Sequence, residues 1–172
     1  AYGGSCLPKD LRGLQTLAHD LYLDTPVLNA ISPSNSTLIE RQTEAIEKFG
    51  KKKIGVLGLS FKAGTDDMRN SPIIHIIESL HGKGFEVKIF DKNVSLSRII
   101  GKNKSVIEER LPHLSTMLID NMEEVTDWAD VLIIANKDSK FSEIVTKPEQ
   151  IIVDLVRVKE LEKYNNYNGL WW

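Results

Sequence analysis

Short apolar runs alternate with helix-forming segments from residue 54 onward, and this alternation limits the fold more than any other feature of the sequence. The run IGVLGL at 54–59 carries no polar side chain, as expected of a strand that is buried on both faces. Alternating strands and helices predict βαβ units, and therefore a Rossmann-like α/β fold with a doubly wound parallel sheet. The strands are predicted at 54–59, 86–91, 115–119, 131–135 and 150–155, and the helices at 72–81, 94–110, 121–128 and 139–146.

The first fifty residues follow a helical pattern instead. Pro8 suits the first turn of a helix, and apolar residues then recur at helical spacing, which predicts a helix over 8–23. A second helix is predicted over 26–49, with a kink at the SPSNS stretch at 32–36 because proline and serine are poor helix-interior residues.

Gly50 and three lysines mark the change between the two patterns, so we divide the chain into a helical arm at 1–50 and an α/β domain at 51–172. The aromatic tail YNNYNGLWW at 164–172 is expected to pack on the domain or on a partner. The start AYGGSC shows no charged-then-apolar leader. A glycine turn and a helix so close to the first residue are expected of a fragment of a longer protein.

Composition and charge exclude several classes of function. The formal net charge is −2, with 22 Lys and Arg against 24 Asp and Glu, so neither a nucleic-acid site nor a polybasic membrane contact is predicted. No apolar run approaches the roughly 20 residues of a membrane span. The single cysteine fits a reducing compartment, and we expect a cytoplasmic protein.

The stretch YGGSCLPKD at 2–10 contains that cysteine, Cys6. The glycines permit a tight turn, and the helix predicted just after Cys6 would place its sulfur near unpaired N–H groups and near Lys9, which favour a reactive thiolate. Asp10 lies one helical turn further on, where it could act on a proton or a water. A buried packing cysteine is the alternative, and this stretch alone leaves the two open.

A second stretch, GVLGLSFKAGTDDMRNSP at 55–72, joins a predicted strand to a predicted helix, the general position of ligand sites in open α/β sheets. Its glycine pattern is a weak dinucleotide fingerprint. Lys62 and Arg69 suit a phosphate or diphosphate, although both could be solvated or paired with the aspartates between them.

Asp91 follows the second predicted strand and could bind ribose hydroxyls, but a turn or helix-cap aspartate is the favoured alternative. The four histidines have no metal-ligand spacing, and no metal site is predicted.

Together, GGSCLPKD and GLSFKAGTDDMRNSP resemble the nucleotide-sugar 6-dehydrogenases, the UDP-glucose/GDP-mannose dehydrogenase family. The resemblance covers nearly the whole chain but only the second half of such an enzyme. The stretches GLSFKAGTDD, IFDKNV and IEERLPHLSTML look closer to the GDP-mannose enzymes than to the UDP-glucose enzymes.

The resemblance implies an enzyme that oxidises a sugar C6 alcohol to an acid in two hydride transfers to NAD. Cys6 matches the family nucleophile, which forms a thiohemiacetal and then a thioester, and Asp10 matches the aspartate that positions or activates water. The α/β domain would hold the sugar nucleotide and the central helix would form a homodimer. NAD would lie mostly on an N-terminal domain that this sequence lacks, so the chain alone is expected to be inactive.

The resemblance also implies roles for four flanking residues. Gly3 and Lys62 match positions that contact the sugar nucleotide, whereas Lys9 and Arg69 match positions that reach NAD. Three alternatives remain at this point: a UDP-sugar enzyme, a non-catalytic nucleotide-binding or oligomerisation module, and a thiol redox sensor that uses Cys6.

Overall fold

The computed structural model describes residues 1–95 and 114–170. Two helices form the arm, α1 (Leu7–Asp20) and α2 (Pro26–Glu47). Pro8 lies in the first turn of α1 and Pro26 begins α2, positions where the missing proline N–H costs no helical hydrogen bond. The kink predicted at 32–36 does not divide α2, because the helix continues through Pro33 as a single element.

The α/β domain follows the predicted alternation closely. Its strands are β1 (Lys53–Leu57), β2 (Glu86–Phe90), β3 (Val131–Ile134), β4 (Ile151–Asp154) and β5 (Tyr167–Gly169). Its helices are α3 (Pro72–Gly82), α4 (Leu114–Met117) and α5 (Met122–Trp128), with short 3-10 helices at Ser139–Glu143 and Lys159–Leu161.

The five strands of the described residues pair in parallel, in the order β2-β1-β3-β4-β5. The Rossmann-like parallel fold predicted from the sequence is therefore confirmed. The chain leaves β1 toward β2 on one side and β3 lies on the other side, so the order of the strands reverses between β1 and β3. Ligands of open α/β sheets bind outside the carboxyl ends of the strands at such a reversal.

Apolar side chains cover both faces of the sheet. In β3, Val131 and Ile133 pack on the face that α3 covers, and Leu132 and Ile134 pack on the face that α5 covers. The arm takes part in this core, since Ile46 of α2 is completely buried in the same cluster as α3. Helix α2 of the arm packs on α3 of the α/β domain. The boundary between arm and domain at residue 50 therefore stays a prediction.

Two predicted elements are wrong. The segment 115–119, expected to be a strand, contains the end of α4 and then a single bridge between Leu118 and Ile89. The segment 139–146 forms a 3-10 helix over only part of its length. The helix predicted at 94–110 lies mostly outside the described residues.

Candidate active site

Cys6 lies directly before α1, with its side chain exposed. Its carbonyl oxygen accepts the first helical hydrogen bond, from Asp10 N at 2.9 Å, so the sulfur lies at the end of the helix where N–H groups are unpaired. The Cys6 sulfur makes a weak polar contact with Ser5 Oγ, at 3.8 Å. An exposed thiol does not fit the alternative of a buried packing cysteine.

Lys9 and Asp10 lie on the first turn of the same helix. Lys9 Nζ is 3.3 Å from Asp10 Oδ1, and the two side chains are 70% and 67% exposed. A pair this exposed contributes little to stability, so both groups are available to a ligand at small cost.

The two glycines before Cys6 touch the second predicted motif. Asn70 Nδ2 donates to Gly4 O at 2.9 Å across 66 residues of sequence. Gly4 has a φ of +85°, and a Cβ there would come within 2.9 Å of the Phe61 ring. A Cβ on Gly3 would lie 2.1 Å from Asn70 O. Both glycines are therefore required by this close packing, whatever contact Gly3 makes with a ligand.

Lys62 and Arg69 lie on the connection between β1 and α3. Lys62 is exposed, and its carbonyl oxygen accepts from Thr65 Oγ1 at 3.1 Å. Arg69 donates to both carboxylate oxygens of Asp67 at 2.8 Å, as the paired alternative predicts. These hydrogen bonds hold the pKa of Asp67 below its usual value and raise the pKa of Arg69.

Asp91 is a structural residue in this fold. Its side chain is buried, and Oδ2 accepts hydrogen bonds from Leu59 N at 2.8 Å and Ser60 N at 3.0 Å. Oδ1 accepts from Asn93 N and Val94 N, at 3.0 and 3.2 Å, and so caps a helical turn. With both oxygens used by protein donors, the turn or cap interpretation fits and the ribose interpretation does not.

Asn136 is a polar residue at the carboxyl ends of the strands that the sequence did not single out. It follows β3, is buried, and donates from Nδ2 to Ser60 Oγ at 3.2 Å. Gly58, with a φ of +95°, lies so close that a Cβ would come within 2.5 Å of the Asn136 side chain. The only signal available from the sequence was an asparagine just after a buried strand. These contacts fix the loop that carries Lys62 to the reversal point between β1 and β3.

The described residues offer few groups for NAD. The connection from β1 to α3 lacks the G-x-G-x-x-G pattern that cradles a dinucleotide. Lys9, on the first turn of α1, and Arg69, on the loop whose Asn70 contacts Gly4, are both exposed cations. Within 1–95 and 114–170 no cluster of three or more His, Cys, Asp or Glu could hold a metal ion. No helix in those ranges is long and apolar enough to cross a bilayer.

Comparison with known proteins identifies the family. Residues 55–160 match the sequence model of the UDP-glucose/GDP-mannose dehydrogenase family, UDP binding domain. The whole chain is 41% identical to a GDP-mannose 6-dehydrogenase of Pseudomonas aeruginosa. It is also 34% identical, over 91% of its length, to a UDP-glucose 6-dehydrogenase of Rickettsia felis. It spans 40% and 33% of the lengths of these two relatives.

Solved structures agree. A crystal structure of a ternary complex of GDP-mannose dehydrogenase from Pseudomonas aeruginosa matches the whole chain with a TM-score of 0.89 and 39% identity, over 40% of its own length. A UDP-glucose dehydrogenase from Pyrobaculum islandicum, 23% identical, shares the fold with a TM-score of 0.80 and covers 100% of the chain over 38% of its own length. The chain belongs to the UDP-glucose/GDP-mannose dehydrogenase family.

Proposed function

We propose that this chain is the C-terminal part of an NAD-dependent GDP-mannose 6-dehydrogenase. The observation that carries the proposal is the position of Cys6, exposed at the start of α1 and held by Gly4 against the loop of Lys62 and Arg69. A nucleophile beside a cationic loop at the carboxyl edge of a parallel sheet suits covalent chemistry on a sugar nucleotide. The relatives named GDP-mannose 6-dehydrogenase support the choice of substrate.

Cys6 acts in the second half of the reaction. NAD, when bound, would accept the hydride of each oxidation, one molecule of NAD for each, and the first oxidation would give the C6 aldehyde. The Cys6 sulfur then forms a bond to the aldehyde carbon while the thiol proton passes to the aldehyde oxygen, which gives a thiohemiacetal. Loss of the second hydride and of the hydroxyl proton leaves a thioester on Cys6. Water cleaves the C–S bond, releasing the carboxylic acid and restoring the thiol.

The neighbouring residues bind and orient the reactants. Asp10, one helical turn from the sulfur, is proposed to orient or activate the water that cleaves the thioester. Lys62 would bind the phosphates of the sugar nucleotide, with Gly3 allowing close approach to the turn. Lys9 and Arg69 would contact NAD from the side of Cys6.

The proposal requires partners that this chain does not supply. A domain with a complete dinucleotide site must hold NAD, so the chain alone is expected to be inactive. Among the described residues, eight of the ten exposed large apolar side chains lie in the arm, which suits a homodimer formed through α1 and α2. They are Leu7, Leu14, Leu17, Leu21, Tyr22, Leu23, Val27 and Ile31. A cytoplasmic location is proposed, in keeping with a free thiol nucleophile.

The test is Cys6→Ser in the full-length protein, assayed for acid formation from GDP-mannose. We expect acid formation to stop, because the hydroxyl is a much weaker nucleophile and the thioester cannot form. Thr16→Ala, at an exposed position further along α1, is the control and should retain activity. Undiminished acid formation by the Cys6→Ser protein would contradict the mechanism.

A UDP-sugar 6-dehydrogenase is the second candidate, favoured by the similarity to the Rickettsia felis enzyme and by the family description as a UDP binding domain. Assaying the same wild-type protein with UDP-glucose separates the two substrates. A protein that binds either nucleotide but oxidises neither would be the non-catalytic module instead.

A further inference from the structure

The turn that carries Cys6 is held from one side by the arm. Asn35, on α2, uses both atoms of its amide on one residue of the turn: its Oδ1 accepts from Tyr2 N at 2.8 Å, and its Nδ2 donates to Tyr2 O at 3.0 Å. The Asn35 side chain therefore pairs with both the backbone N–H and the backbone carbonyl of Tyr2. Asparagine is a poor residue for a helix interior, so these two hydrogen bonds are a reason for its presence there.

The α/β domain holds the same turn from the other side. Asn70 Nδ2 donates to Gly4 O at 2.9 Å, and the Phe61 ring lies against Gly4. Asn70 has a φ of +51°, a left-handed conformation that asparagine tolerates better than most residues. Its backbone conformation presents its carbonyl oxygen to Gly3 while its side chain reaches Gly4.

Cys6 itself contributes little to its own placement. Its side chain is exposed, and its contact with Ser5 Oγ, at 3.8 Å, is weak. The position of the sulfur must then follow from the backbone of residues 2–4, which the two asparagines hold, and from the start of α1. A nucleophile misplaced by about 1 Å can lose about 100-fold in rate, so such support has a direct effect on chemistry.

We propose that Asn35 and Asn70 are positioning residues for Cys6, which together fix the nucleophile between the helical arm and the sugar-nucleotide loop. This inference rests on the proposed function. Since Cys6 acts after the first oxidation, loss of either asparagine should impair capture of the aldehyde more than binding of the sugar nucleotide. The uncaptured aldehyde would then leave the enzyme.

The first measurement is hydrogen–deuterium exchange at residues 2–10 in the full-length protein, which needs no activity. The variants are Asn35→Ala and Asn70→Gly; glycine at position 70 keeps the positive φ unstrained and removes only the side-chain donor. Asn29→Ala, at an exposed position of the same helix α2, is the control. We expect faster exchange in residues 2–10 of both variants, with the control and the sheet unchanged. Unchanged exchange in both variants would overturn the proposal.

The second measurement is steady-state kinetics with trapping of released aldehyde. We expect kcat for acid formation to fall about 10-fold or more in each variant, KM for the sugar nucleotide to change by less than about 3-fold, and aldehyde to be trapped. Faster exchange with unchanged kcat would overturn the positioning role. A wild-type protein that oxidises no sugar nucleotide would instead overturn the proposed function, and exchange alone would then decide whether the asparagines hold the turn.

Discussion

Single residues at the edge of the sheet divide into those that hold the site together and those left free for a ligand. Asp91 and Asn136 are buried and bonded to the loop that begins at Gly58, whereas Lys62 on the same loop is exposed. The sequence left Lys62 open as a ligand residue and favoured a turn or helix-cap role for Asp91. Burial separates them, because a carboxylate whose oxygens accept several backbone N–H groups has no room for a ribose hydroxyl.

Asp91→Ala is expected to reduce the free energy of unfolding by about 3 kcal/mol, because several buried N–H groups would lose a charged acceptor at once. Chemical denaturation of the full-length protein measures this. Asp24→Ala, at an exposed position, is the control and should change little. A variant with normal stability but weakened sugar-nucleotide affinity would support the ribose role that the structure argues against.

Secondary-structure elements with strong local patterns were predicted well, whereas α4 and β5 show where the local pattern fails. In α4 and the residue after it, Leu114, Met117 and Leu118 are buried, which is the spacing of a helix face, although STMLI also suits a strand. Strand β5 contains only Tyr167, Asn168 and Gly169, a composition typical of a turn. It is a strand because it pairs with the exposed edge of β4, a partner that the local sequence does not reveal.

Tyr167 connects this edge strand to the end of β4. Its hydroxyl donates to Asp154 Oδ2 at 2.9 Å. Burial, and after it this hydrogen bond, raises the pKa of Tyr167 above its ordinary value of 10.0. The folded protein then binds the phenol proton more tightly than the unfolded chain does. The resulting stabilisation is complete below pH 10.0 and falls as the pH rises above it.

Tyr167→Phe is therefore expected to cost about 1 kcal/mol of stability near neutral pH, from the lost hydrogen bond. The variant should also lose less stability than wild type between pH 9 and about 11. Denaturation midpoints across that range test both effects, with Tyr22→Phe as the exposed control. Parallel pH profiles for wild type and Tyr167→Phe would show that the hydroxyl has no such linkage.

Among the described residues of the whole molecule, the exposed large apolar side chains lie mostly on the arm, which supports the proposed homodimer. Val27 and Val145 allow a matched comparison, since they are 80% and 84% exposed and lie on the arm and on the α/β domain respectively. Exposure of a single valine is unremarkable, but Val27 lies among other exposed apolar side chains of the arm.

Val27→Arg is expected to shift the full-length protein from dimer toward monomer, because a buried, unpaired guanidinium is costly at an apolar interface. Val145→Arg should leave the mass unchanged. Analytical ultracentrifugation distinguishes the two. A Val27→Arg protein of unchanged mass and lowered thermal stability would indicate that another part of its own chain covers the arm.

The sequence by itself determined the strands with continuous apolar runs, the helix starts at or next to Pro8, Pro26 and Pro72, and the candidate chemistry of Cys6, Lys62 and Arg69. These features arise from interactions between residues close in the chain, which residue type and spacing record. Only the tertiary structure decided which residues hydrogen-bond across long stretches of sequence: Asn70 with Gly4, Asn35 with Tyr2, and Asn136 with Ser60. Those partners lie 66, 33 and 76 residues apart, and each contact depends on how the strands are ordered or on how the arm packs, so no local pattern could specify it.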